Sequence, residues 1–281
     1  MSVLKRKMIR DLYGIKGQVA AICAVIAAGI ATFVMSLSTV ESIRWSQQTY
    51  YDRFGFAEVF ASLKSAPEVL AGRIRSIPGV ARADTRITFD VTLDVEGMIE
   101  PATGRLISVP EGKPPRLNGL YLRRGRWLAP YQGDEVLVSE PFAKSHGLQL
   151  GDHIAANING RRQRLRIAGI VLSPEYLIHV PPGSLLPDDR RFGVLYMGYD
   201  ALAAALNMES AFNDVSLTLM HGAVQAEVMR RLDRLIEPYG GAGAYAREDQ
   251  VSHQYISDEI RQLRSIGMIG PTIFSLFRLS C

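Results

Sequence analysis

The first pattern along this chain is a run with no polar partner. Residues 17–40, GQVAAICAVIAAGIATFVMSLSTV, contain no charge at all. Wound as a helix at about 1.5 Å per residue, the run reaches roughly 36 Å, enough to cross a hydrocarbon core of about 30 Å with some tilt. A transmembrane helix is therefore predicted at 17–40. Helical spacing continues past Val40, with Ile43, Gln47 and Tyr50 or Tyr51 on one side and no breaker before Gly55, which predicts a stalk helix over 41–54.

The period then changes. FAEVFASL (56–63) alternates and is rich in Val and Phe, as a strand would be. Pro67 is expected to open a short helix at its first turn, with Val69, Leu70, Ile74 and Ile77 as the apolar face and Pro78-Gly79 as the stop. Residues 81–97 alternate again through Ile87, Phe89, Val91, Leu93 and Val95, predicting one long strand. From 98 to 207 the texture is short strands and turns, with candidates at 106–109, 134–139, 152–160, 161–172, 176–180 and 192–197. Asn159-Gly160 between two alternating runs predicts a two-residue hairpin, since both positions need positive φ. Ser139 is expected to cap the short helix PFAKSHGL, and residues 199–206 form another. A strand at 213–220, an amphipathic helix at 223–240 with Val224, Val228, Leu232 and Leu235 aligned, and a weak strand at 242–247 follow. After Glu248 and Asp249, Ile256, Ile260 and Leu263 make a second stalk-like stripe. Residues 266–277 are uncharged but give only about 18 Å of helix, short of a full crossing.

The fold class read from this is α+β. The expected organisation is a basic N-terminus at 1–16, a transmembrane helix at 17–40, a core domain at 41–265 and a partial second membrane helix at 266–281. Within the core, 56–97 and 213–247 form two strand–helix–strand units, 98–207 is a β-rich insert, and 41–54 and 248–265 are stalk helices.

Charge sharpens the topology. The 281 residues carry a formal charge of +4, and residues 1–16 alone hold Lys5, Arg6, Lys7, Arg10 and Lys16 against Asp11. The remaining 27 cations and 27 anions balance. The basic excess thus marks the side of the membrane on which the N-terminus stays, and not a nucleic-acid footprint. The core domain is expected on the opposite side and to fold without its apolar flanks. It contains neither of the two cysteines, Cys23 and Cys281, and a domain of this size needs no disulfide. A cleaved signal peptide is the competing reading, with Ser36 and Ser38 at suitable spacing, but the apolar run is about twice a usual signal core.

Searching for chemistry leaves no catalytic, cofactor-binding or metal-binding residue to name. GxxxxGK[ST], HExxH, CxxC and GxSxG are all missing from the sequence. His146 and His153 flank a Gly-rich turn beside Asp152, and read as turn or surface residues without a third ligand. Arg162, Arg164 and Arg166 alternate with Leu165 and Ile167 and lack interleaved aromatics, so they read as a solvated sheet face. Asp134-Glu135 are neighbours in a strand and point to opposite faces. Asp188-Asp189-Arg190-Arg191 reads as an exposed loop, and Gly151-Asp152 as a tight turn setting the next strand.

Several strings nonetheless carry a resemblance. They are KRKMIRDLYGIKGQ leading into the apolar helix, Ile77-Pro78-Gly79-Val80, RRGRWLAPYQGDEVLVSEPFAKSHGLQLGDHI at 123–154, ING at 158–160, IAGIVLSPEY at 167–176 and RSIGMIGP at 264–271. Through them the chain resembles the N-terminal part of FtsX-like permease subunits of bacterial ABC transporters with a MacB-type periplasmic core domain. The resemblance implies an inner-membrane protein with a cytoplasmic N-terminus and a periplasmic main domain, porter-like in its α+β part. It implies a separate cytoplasmic ATPase that binds ATP, no cofactor in this chain, and motion used for export or envelope remodelling. A second permease or a periplasmic adaptor are the further partners implied, with a dimer for the full-length form. Family members continue into more membrane helices, so SLFRLSC at the end predicts a truncated or frame-shifted form. The alternative function is a membrane-anchored periplasmic binding or adaptor domain without transport.

Overall fold

The computed structural model describes residues 16–184 and 186–277. The basic lead over 1–15 and the last residues of the expected second membrane helix, 278–281, lie outside the described residues. By compactness the described chain forms two units, residues 16–49 with 256–277, and Tyr50–Tyr255.

The helical unit holds most of α1 (Lys16–Phe54) and of α6 (Val251–Phe277). Ile22, Val25, Ile26, Ile30, Val34, Met35 and Leu37 are all exposed, an apolar surface that none of the described side chains covers. The most apolar stretch of α1 has none of its residues buried and is long enough to cross a membrane. Its hydroxyls are satisfied locally: Thr32 and Thr39 donate to the carbonyls of Ala28 and Met35, four residues back. Trp45 stands exposed just beyond the apolar run, where an amphipathic ring suits a membrane–water boundary. Among the described residues of this unit, Val40 and, on α6, Ile260 are buried.

The second unit is built from two sheets. The first has the order β11 (Ala244–Ala246), β1 (Val59–Pro67), β10 (Ala211–Leu219), β2 (Val80–Arg86). Two helices cover one face, α2 (Leu70–Arg75) and α5 (Gln225–Ile236). Their Leu70, Ile74, Val228, Leu232 and Ile236 pack with Val59, Ala61, Val215 and Leu217 from the strands. This is the two-unit α+β layer expected from the alternation.

The insert is a barrel. Its strands are β3 (Thr88–Asp94), β4 (Ala102–Val109), β5 (Tyr121–Gly125), β6 (Glu135–Ser139), β7 (His153–Ile158), β8 (Arg161–Leu172) and β9 (Phe192–Gly198). The order is β5-β8-β6-β9-β4-β3-β7, and β7 pairs again with β8. The twelve-residue β8 makes the closure possible: its first half pairs β7 and its second half pairs β6 and β5. Val91, Leu93, Leu106, Val138, Ile154, Leu165 and Leu195 belong to one core, joined by Phe142 of α3 (Glu140–Ser145) and Leu202 of α4 (Tyr199–Leu206). A second cluster around Leu137, Val171, Phe192 and Val194 covers the other face, so β6 and β9 are buried on both sides and show no alternation.

Several local expectations change. Residues 81–97 are two strands, because the chain leaves the first sheet at the buried Ile87 and enters the barrel at Thr88; Phe89 is exposed. Pro67 ends β1 opposite Ala211 instead of opening a helix, and the helix begins at Leu70. Ser139 precedes α3 without capping it, since its Oγ accepts a hydrogen bond from the Val194 amide at 3.2 Å. Ile236, not Val224, completes the buried stripe of α5. Residues 176–180 are not a strand, and β5 was unforeseen. Glu248 and Asp249, acids suited by charge to a helix N-terminus, lie in a 3-10 turn ahead of α6. The Asn159-Gly160 hairpin is present, with φ of 51° and 77° between Ile158 and Arg161.

Candidate functional site

The strongest concentration of buried polar chemistry lies where the sheet meets the barrel, around Arg86. Position 86 ends β2 and stands in register with Asp214 of β10. The guanidinium donates through Nε to Asp214 Oδ1 at 2.6 Å and through its two terminal nitrogens to Glu175 at 2.7 and 2.6 Å. Glu175 sits in the loop after β8, so one cation joins the sheet to the barrel. Ser62 of β1 adds a hydroxyl to Asp214 at 3.4 Å. Burial opposes the charge on Arg86, yet Asp214 and Glu175 hold its pKa well above the ordinary value. Burial raises Asp214, with Arg86 pulling down and the Glu175 carboxylate pushing up; the direction that follows from two acids around one base is upward.

Amide pairs secure the same seam. Asn213 accepts from the Thr88 amide and donates to the Thr88 carbonyl, both at 2.8 Å. Asn118, with φ of 50°, accepts from the Ala57 amide at 2.9 Å and donates to Ser216 Oγ at 3.1 Å. Gln250 donates to the Glu175 carbonyl, and Ser252 Oγ accepts from the Ile178 amide. Arg247 reaches the carbonyls of Phe56 and Ala57 and lies over the rings of Tyr51 and Phe56. Beside the seam a cleft of about 730 Å³ opens between β2, the end of β4 and the 110–118 loop, with Arg75, Arg86, Lys113 and Arg116 among its walls.

A second buried carboxylate explains part of the 123–154 string. Glu135 is fully buried and accepts from Arg126 at 2.8 Å, from the Ala129 amide and from Arg166 of β8. Burial works against its charge, but Arg126 and the other donors hold its pKa below the ordinary value. Gly125, at φ 84°, faces Gly169 across the β5–β8 pair, and a Cβ there would lie 2.4 Å from the Ala168 carbonyl oxygen.

The residues weighed in the sequence are scattered. His146 Nε2 lies 2.8 Å from the Arg190 carbonyl, and His153 starts β7 on the surface. Among the described residues no three His, Cys, Asp or Glu side chains converge as metal ligands would. Asp152 accepts from the Gln149 amide in the turn after Gly151. Arg162 pairs with Asp94 on the surface, whereas Arg166 leaves the solvated face to hold Glu135. Asp188 caps the amides of Arg190 and Arg191. His179, whose sequence surroundings carry no ligand or catalytic motif, is fully buried, edge-on to Phe192, with Nδ1 3.4 Å from Asp189 Oδ1; burial lowers its pKa. Arg86 and Asp214 sit at polar phases of their strands indistinguishable from solvent-facing ones, and Glu175, within the 167–176 string, lies in a loop with no period to mark it as buried.

No family model matches the chain, and no curated protein matches it. Two solved structures are similar to the chain. One is the extracellular domain of the noncanonic ABC-type transporter YknZ from Gram-positive bacteria, at 14% identity over 68% of this chain and 98% of that one, with a TM-score of 0.41. Another is the periplasmic region of MacB from Actinobacillus actinomycetemcomitans, at 13% identity over 75% of this chain and 95% of that one, with a TM-score of 0.43.

Proposed function

We propose that this chain is a permease-type membrane subunit, or a fragment of one, of an ABC transporter. The single observation that carries the reading is the order of parts. A helix whose charge-free run, 17–40, is long enough to cross a membrane leads into an α+β domain with a barrel nested in it, and a second long helix leads out. The resemblance of the 123–154 string to FtsX-like permeases supports it. In this reading the N-terminus is cytoplasmic, the α+β domain is periplasmic, and the chain has no chemistry of its own. ATP is bound and hydrolysed by a separate subunit, and the periplasmic domain follows its cycle during export or envelope remodelling. The buried charge cluster at Arg86 keeps sheet and barrel as one body, so that movement imposed on one is passed to the other.

Purification of the full chain in mild detergent from its native membrane, with mass spectrometry of what accompanies it, is the test. An ABC ATPase in stoichiometric amount is the expected result. Envelope proteins alone, with no ATPase, overturn the permease reading and leave a membrane-anchored adaptor.

A further inference from the structure

We propose that the outer edge of β2 docks an acidic, extended segment of a partner protein as an added strand. The inference is independent of the transporter reading. β2 is the seven-residue edge of the four-stranded sheet, bonded to β10 on one side only. The Ala83 carbonyl turns outward from β10 to the long Arg75 Nε contact at 3.5 Å; Ala83 is buried there, so a docking strand displaces the Arg75 side chain. By alternation, Thr85 turns the same way. A barrel that closes on itself has hidden most of its own edges, and the other free edges, β5 and β11, are shorter.

Edges left open normally carry a covering element, a charge, a proline or a bulge that discourages pairing. β2 has no proline, its register with β10 shifts between Thr218 and Leu219 at the Val80 end, and its charges line a groove. A depression of about 510 Å³ runs beside residues 80–84 between Arg75 and Arg116, and the 730 Å³ cleft continues it past Arg86. The groove is cationic. Arg75, Arg82, Lys113 and Arg116 are exposed along it, and no ion pair neutralises them among the described residues. The two acids present, Asp84 and Glu68, are engaged by the Leu117 amide and the Thr85 hydroxyl. Main-chain bonds to the edge would supply affinity, and acidic side chains at alternate positions would select the partner. A second copy of β2 fits poorly, because edge-to-edge pairing would bring two sets of arginines together.

The test uses the full chain in detergent and a fluorescent heptapeptide of alternating valine and glutamate. Anisotropy should report saturable binding that weakens with salt, and Arg82→Glu and Arg116→Glu should each weaken it about tenfold. Methylating alternate peptide amides should abolish it. Both substituted side chains are exposed, so folding is checked simply by an unchanged melting curve. The proposal is overturned if the glutamate peptide fails to bind, if its lysine counterpart binds as well, or if the methylated form is equally good. Anionic vesicles that compete fully with the peptide would assign the groove to a membrane surface. Concentration-dependent self-association strengthened by Arg82→Glu would assign it to a second copy. Either result sinks the proposal.

Discussion

Arg86 is a residue whose value depends on what remains after it is gone. Arg86→Leu strands Asp214 and Glu175 in a buried site with no cation, which should cost about 3–5 kcal/mol in thermal or denaturant unfolding. Glu175→Gln should cost clearly less, because Arg86 keeps Asp214; a loss as large as that of Arg86→Leu would mean that Asp214 alone does not hold the buried cation. His179 carries the opposite expectation. Its folded pKa is lowered by burial, so it contributes stability that is complete above the unfolded value near pH 6.5 and is lost as pH falls below it. His179→Leu should leave stability at neutral pH unchanged or improved and should flatten melting temperature against pH below about 6.5. His253, lowered by burial and by Arg247, retains part of that slope. Gly125→Ala meets both a left-handed backbone and the Ala168 carbonyl, and should destabilise by about 2–3 kcal/mol, read from the same melts.

Elements with two neighbours and elements with one should differ in how readily they open. β5 pairs with β8 alone and is largely exposed, whereas β6 is flanked on both sides and fully buried. Amide exchange should therefore be fast in Tyr121–Gly125 and slowest in Glu135–Ser139 and Phe192–Gly198. Comparable protection in β5 would contradict the pairing. The same contrast explains what was legible in the sequence. Amphipathic elements such as α5 and the β7–β8 hairpin announced themselves by period and turn chemistry. β5, YLRRG, has no apolar face to announce, and 176–180 is a loop whose Tyr176 packs against the cluster around Phe192 and whose His179 meets that ring edge-on. The break at Ile87 was invisible, because alternation continues unchanged through a residue where the strand changes sheets. The seam cluster was invisible for a related reason: Arg86 and Asp214 meet only through cross-strand register, which no local pattern encodes.

At the scale of the molecule, the proposed topology makes one side of the membrane reachable. Ile99→Cys, fully exposed in the turn between β3 and β4, should react with an impermeant maleimide added outside intact spheroplasts in a Cys23→Ser, Cys281→Ser background. Labelling only after lysis would reverse the orientation. The nested connectivity also bears on how the chain reaches its structure. Glu58 binds the Leu219 amide across 161 residues of sequence, and unaided closure of so long a loop is slow. Thr88 and Asn213, at the neck, are already joined by a reciprocal amide pair. Once the barrel has condensed and that pair has formed, β1 and β10 are separated by little more than α2 and β2. The barrel is then a chaperone encoded in the same chain, shortening the search that its host sheet must complete.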